Sequence, residues 1–403
     1  MSAPDSEGKP LWKVISREFP SRFSTGKNRR LATVAIGLME AGLRIEFHVI
    51  SAVGVVPDPL DLELWARFDN LIYWAFKPYG SDPGYEIVEG IDCRQSDSIP
   101  ESCGRDLETT QFDGLIFTSI DLVPSLWKFC PPSIPRVLEM DEMESGRHQE
   151  FASLSLPDIS DAERSSFIAK SILEKIWIPR FDLVALSSRA EVEKARNEKS
   201  SEEVSYSVWP NIADPLESGM QREPSESLAL LFVGHLGYPP NQDAVLWLAE
   251  EIFPLIQERL PDARCMIVGL RCPDSLSKRL SASKVEYLGS QPDLSRFYAT
   301  ATAAIVPLRA GTGTRIKILE AFALGCPVVS TTKGAEGLGL TSGKELMIAD
   351  DPQSLLDACI KIHNESLLRE KLVLAGKAFW ESGHTQKALN NVIACDIDRL
   401  QLD

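Results

Sequence analysis

Long apolar runs are missing from this chain. No stretch of its 403 residues approaches the roughly 20 apolar positions that a membrane-spanning helix needs. Residues 1–10 lack the basic and then apolar segments of a signal peptide, so the expectation is a protein of the cytosol or of a cytosolic membrane face. An excess of positive charge is missing too. Lys and Arg number 42 against 58 Asp and Glu, a net charge of −16, which argues against general nucleic-acid binding. The eight cysteines form no Cys-x-x-Cys pair, so no metal site and no disulfide framework is expected. Cys265 in a strand pattern and Cys326 just after a helix read as buried small apolar residues. No Gly-x-Gly-x-x-Gly follows the first strand pattern, so a nicotinamide cofactor is not indicated.

What is present is a globular composition, 44% hydrophobic and 25% charged, with length for two domains. Strand patterns alternate with helical ones, which predicts an α/β fold with parallel sheets covered on both faces. In such sheets ligands bind beyond the C-terminal strand ends. Gly234, Gly289 and the loop containing Gly311 all fall at predicted strand ends.

The stretch 304–338 organises the rest. An apolar run to Leu308 predicts a buried strand, and Gly311-Thr312-Gly313-Thr314 a loop. Residues 314–324 then show helical spacing, ended by Gly325 and Pro327. A strand, a glycine loop and a helix start suit an anion, because glycines admit a phosphate to the backbone and the helix dipole favours negative charge. Arg315 and Lys317 add cations in the first turn, and Glu320 offers a carboxylate able to accept two sugar hydroxyls. The same pattern also fits an ordinary exposed Lys317–Glu320 pair three residues apart.

These residues resemble the donor-binding core of family 4 glycosyltransferases, which have the GT-B architecture. The resemblance is to the subgroup reading Gly-Gly-Gly-Thr-Arg-Leu-Lys-Ile-Leu-Glu-Ala, then Gly-x-Pro-Val-Val-Ser-Thr, then Gly-Ala-Glu-Gly-Leu. The last block stands here as Gly334 to Leu338 and includes Glu336. The resemblance implies two Rossmann-like domains facing a central cleft and a retaining transferase. Its partners would be a nucleotide-sugar donor, as substrate rather than cofactor, and a glycan or lipid-linked acceptor; no metal is required. Arg315, Lys317 and Glu320 would carry the chemistry, with Glu320 on the donor ribose. Gly234, His235, Gly289, Gly311, Thr312, Gly313, Thr314, Gly334 and Glu336 would line the donor. Thr312 stands where the wider family places the first glutamate of Glu-x7-Glu, and His235 with the Tyr238-Pro-Pro-Asn241 loop replaces its Arg and Lys. An inactive partner protein or a sugar-nucleotide epimerase are the alternatives.

The resemblance and the composition divide the chain into a tail (1–10), an acceptor-side domain (11–208), a hinge (209–227), a nucleotide-sugar domain (228–380) and a returning C-terminal helix (381–403). On the acceptor side, Gly26 matches a family glycine loop. Asp141, Glu142 and Glu144 resemble an acidic block at a strand end, and helix-start charge is the alternative reading. Arg17, Arg22, Lys27, Arg29 and Arg30 form either a solvated face or a contact with phosphate, including that of a membrane surface. The sequence predicts loops at 78–83 and 96–104, and makes Asn241 the N-cap of a helix reaching Arg259. Ser188 and Glu191 form a predicted capping box.

Overall fold

Among the described residues of the computed structural model, fourteen strands, all paired in parallel, form two separate sheets. The structure describes residues 8–22, 26–51, 61–76, 92–96, 99–143, 145, 161–197, 204–215, 222–291 and 293–402. They fall into two units. The first holds the described residues of Met1–Ser145, Ser166–Pro210 and Gln386–Asp403. The second holds those of Gly146–Ser165 and Asn211–Thr385.

In the first unit the strands are β1 (Leu11–Ser16), β2 (Arg44–Ser51), β3 (Asn70–Phe76), β4 (Asp92–Ser96), β5 (Gly114–Phe117), β6 (Arg136–Met140), β7 (Leu183–Leu186) and β8 (Ser205–Val208). Their spatial order is β4-β3-β2-β1-β5-β6-β7-β8, so the winding reverses between β1 and β5. Inner strands β5 and β7 are buried apolar runs, as parallel sheets favour. The predicted loop at 96–104 is wrong. Edge strand β4 ends at Ser96 and a helix, α2 (Ile99–Thr109), follows α1 (Gly26–Glu40) in the chain. The loop at 78–83 lies outside the described residues.

A polar cluster is buried within this unit. The Lys13 ammonium lies 2.6 Å from Glu46 and 2.8 Å from Asp106, with only 1% of its side chain exposed. Burial would raise the Glu46 carboxyl, but hydrogen bonds from His48 and Lys13 outweigh it and hold it at about 2. Burial pushes His48 down, and its Nδ1 accepts from Trp74 Nε1 at 3.1 Å. Glu46, His48 and Asp106 are metal-ligand types in one place, yet Lys13 already supplies the cation there.

The C-terminal helix, Gln386–Leu402, belongs to this unit and packs on α1. Gly37 makes room for Ile393, since a Cβ there would stand 2.5 Å from its Cδ1. Asp396 accepts from the fully buried Trp209 Nε1 at 2.9 Å.

The second unit has β9 (Ala229–Val233), β10 (Arg264–Val268), β11 (Glu286–Tyr287), β12 (Ala303–Val306), β13 (Val328–Ser330) and β14 (Met347–Ile348), in the order β11-β10-β9-β12-β13-β14. Its winding reverses between β9 and β12. Two helices start beside that reversal, α3 (Pro239–Trp247) after β9 and α4 (Ile316–Ala323) after β12. Asn241 is not the N-cap. Tyr238 is, with Pro239 in the first position, where its missing N–H is no loss. The helix predicted to reach Arg259 changes to a π-helical segment, Leu248–Ile252, just before Pro254. No helix among the described residues is long and apolar enough to cross a membrane.

Candidate functional site

The reversal between β9 and β12 is where an open α/β sheet leaves a crevice at its C-terminal edge. The two flanking loops meet there. A Cβ placed on Gly311 would stand 3.4 Å from Pro240 Cβ at the start of α3. Gly311 and Gly313 have φ of 117° and 77°, a backbone region that side chains with a Cβ disfavour, so the loop shape depends on both glycines.

Arg315 does not reach outward. Its guanidinium donates to the carbonyl oxygens of Gly311 (2.7 Å), Thr312, Gly313 (3.0 Å) and Lys333 (3.5 Å). It is 6% exposed and occupies the N-cap position, so the helix opens at Ile316 rather than at Thr314. Arg315 thus braces the loop from within. Thr314 is buried beside it, and the Thr312 hydroxyl is buried with no protein hydrogen-bond partner among the described residues.

Lys317 turns back across the sheet end. Its Nζ donates to Asn241 Oδ1 at 2.8 Å and stands 4.2 Å from the centre of the Phe232 ring. Burial, and after it the nearby Arg315, hold the amine down at about 7, against the pull of Glu320. Gly234 caps this arrangement, because a Cβ there would stand 3.1 Å from both Lys317 Nζ and the Asn241 amide. Asn241 Nδ2 donates to His235 O at 2.9 Å. The His235 ring is pushed toward neutrality by burial and then by Arg271. Gly234, His235, Asn241 and Lys317 therefore form one polar floor.

Glu320 lies one turn further along α4 and is 9% exposed. It is not the exposed partner of Lys317. Its Oε2 accepts from the Tyr298 hydroxyl at 3.4 Å. Gly289 ends the neighbouring edge, with its carbonyl accepting from Gly269 N at 2.9 Å. Gly334 packs where a Cβ would overlap Ser330 Oγ and the Val306 carbonyl, a requirement of close packing. Glu336 pairs with Lys333 at 2.5 Å and its side chain is 55% exposed. Near the floor, Arg309 grips Asp243 through Nε at 2.9 Å and stacks over Trp247, a pairing absent from the sequence reading. Asn241, Tyr298 and Asp243 were all missed as site residues. The Pro-Pro before Asn241 signals a helix start, but nothing local points to Lys317.

The first unit places its expected residues at its own strand ends. Gly26 opens α1. Asp141 follows β6 and stands 4.0 Å from Arg30 Nε, and Glu142 beside it is buried. Glu144 lies outside the described residues. Arg30 is buried, 2.6 Å from Glu139 and 3.0 Å from the Trp209 carbonyl. Burial drives the Glu139 carboxyl up, with Arg30 opposing. Arg17 Nε donates to Asp121 at 2.9 Å, next to the reversal between β1 and β5. Arg17 and Arg30 of the clustered cations thus have carboxylate partners within the unit. Glu191 N donates to Ser188 Oγ at 3.2 Å, one bond of the expected capping box, and the Glu191 carboxylate also accepts from Met143 N at 2.8 Å.

Residues 227–365 match the family model described as glycosyl transferases group 1. An uncharacterized 44.6 kDa protein in the cps region of Klebsiella pneumoniae is 30% identical over 131 residues, 30% of this chain and 34% of that protein. A phosphatidyl-myo-inositol mannosyltransferase of Mycobacterium leprae is 28% identical over 153 residues, 36% of this chain and 40% of that protein. The chain thus spans between a third and two fifths of the curated relatives it matches. Among solved structures, the pneumococcal O-GlcNAc transferase GtfA, in complex with UDP and GlcNAc, superposes with a TM-score of 0.67 at 10% identity, covering 98% of this chain and 100% of that one. Anabaena HepE in complex with UDP-glucose gives 0.68 at 12% identity, covering 96% and 99%. Both units therefore have the α/β fold of GT-B glycosyltransferases, and residues 227–365 are similar to group 1 glycosyl transferases.

Proposed function

We propose that this chain is a retaining glycosyltransferase that moves a sugar from a nucleotide-sugar donor to a hydroxyl of a glycan or lipid-linked acceptor. The observation that carries the reading is Lys317, a cation held by a neutral amide at the sheet reversal, beside a glycine loop and a helix start. A donor diphosphate is the ligand such a floor fits, because backbone, helix dipole and amine all favour negative charge. Arg315 keeps the loop open for it. Glu320, one turn on, accepts the two ribose hydroxyls, and Tyr298 orients its carboxylate. As the glycosidic bond breaks, charge grows on the leaving diphosphate, and a preorganised cation there favours departure without a metal. The cps-region and mannosyltransferase relatives support an acceptor in surface polysaccharide or glycolipid synthesis.

The test is a thermal-shift screen of nucleotide sugars followed by incubation of the stabilising donor with and without lipid-linked and glycan acceptors. Acceptor-dependent release of nucleoside diphosphate is expected, with the anomeric configuration of the donor kept in the product. Turnover without acceptor would overturn the reading in favour of an epimerase. Donor binding with no turnover under any acceptor would fit a partner protein instead.

A further inference from the structure

Asn241 is the residue of the floor whose chemistry is most constrained. It is 8% exposed and sits inside the first turn of α3, where a helix gains nothing from asparagine. Both ends of its amide are used. Oδ1 takes the Lys317 ammonium at 2.8 Å and Nδ2 donates to the His235 carbonyl at 2.9 Å. An ammonium only donates and a carbonyl only accepts, so the two partners fix one amide orientation. Aspartate, of nearly the same shape, would set a carboxylate against the His235 carbonyl and cancel the charge of Lys317. Leucine would leave the amine with no anchor above Phe232. Asparagine alone of the three holds the cation in place without neutralising it. The other charged groups on the amine are Arg315 and Glu320 of its own helix.

We propose that Asn241 is a positioning residue that locks the Lys317 amine under Gly234 and keeps its charge available to a nucleoside diphosphate. The proposal deepens the transferase reading and rests on it for the identity of the anion. It makes the start of the helix after β9 and the helix after β12 a single device, so that substitution on one is felt by the other, 76 residues away in the chain.

Two measurements on the whole chain test it. The first needs no ligand: competitive acetylation of Lys317 across pH, read by mass spectrometry, in wild type, Asn241→Asp and Asn241→Leu. Asn241→Asp should shift the titration of Lys317 upward by about one pH unit or more, and Asn241→Leu should shift it downward. The second is calorimetric titration with UDP and with GDP, and with uridine and guanosine as phosphate-free controls. Both variants should weaken whichever diphosphate the wild type binds by about ten-fold or more and leave nucleoside affinity unchanged. The signature of positioning is that Asn241→Asp makes the amine easier to protonate yet binds diphosphate worse. A purely structural role would move melting temperature and both ligand classes together. An unchanged Lys317 titration in both variants overturns the positioning role. Undiminished diphosphate affinity in a well-folded Asn241→Asp overturns the charge argument. If wild type binds neither diphosphate, the transferase reading falls first, and the Lys317 titration still decides whether Asn241 sets the amine.

Discussion

The two sheets have the same winding, yet their reversal points treat charge in opposite ways. Between β1 and β5 the local cation, Arg17, meets a carboxylate, Asp121, at 2.8 Å with both side chains about a third exposed. Between β9 and β12 the local cation, Lys317, meets an amide, and Phe232 lies beneath it. The first crevice settles its own charge. The second holds a cation where burial disfavours it, and any phosphate that entered would relieve the strain on that charge. Similar topology offers two places for a ligand, and local electrostatics points to one of them.

Removing the cation is the most direct way to break that contrast. Lys317→Met should fold normally, since a thioether replaces an amine over an aromatic ring. Nucleoside diphosphate affinity should fall by roughly ten- to a hundred-fold, the equivalent of about 1.5–3 kcal/mol for a charge-assisted contact. Calorimetry with UDP and GDP reads it, and unchanged affinity would erase the difference between the two crevices. Next in size is Glu320→Gln, expected to lower transfer by about ten-fold by giving up charged acceptance of ribose hydroxyls. The loss should be larger for ribonucleotide donors than for 2′-deoxy donors. Equal losses would remove Glu320 from the ribose.

Acidity sharpens the comparison further. The Lys317 amine sits at about 7 in the free protein, below an ordinary lysine. A bound diphosphate would pull it back up. Above pH 7 binding then takes up a proton, so affinity should weaken by about five-fold between pH 7 and pH 8. Calorimetry in buffers of different ionisation enthalpy would show the uptake directly. The smallest effect belongs to the first unit. Arg17→Gln should change stability by under about 1 kcal/mol, the usual worth of a part-exposed pair, and leave diphosphate affinity alone. A large loss of affinity there would mean that the first crevice also serves the donor.

The fold was legible where burial dominates. The strand Ala303–Val306 falls in the apolar run that ends at Leu308, because parallel strands covered on both faces read as near-continuous hydrophobic runs. Edge strand β4, Asp-Cys-Arg-Gln-Ser, has no such run, and the start of the helix after it reads as part of the loop expected at 96–104. Within the candidate site, residue types were legible and side-chain directions were not. Arg315 reads as a phosphate ligand because it follows glycines, yet the same glycines present it with carbonyl oxygens. Glu320 and Lys317 also allow the alternative of a surface pair, because spacing shows neighbours on one helix. Their real partners, Tyr298 and Asn241, come from other segments. In the first unit's cluster of five cations, Arg30 and Arg17 likewise meet distant residues, Glu139 on β6 and Asp121 in the segment after β5.

The C-terminal helix sets an order of assembly. Gln386–Leu402 belongs to the first unit but is made after all of Asn211–Thr385. At synthesis rates of roughly 5–20 residues per second, the earlier part of that unit waits on the order of ten seconds or more for its last piece. Throughout that interval the Trp209 indole lacks Asp396 and the groove at Gly37 lacks Ile393. The second unit has its complete sheet by then. A nascent chain stalled after Thr385 is therefore expected to present a protease-resistant second unit beside a first unit that is still cut near Trp209, a lag that holdase chaperones are suited to cover.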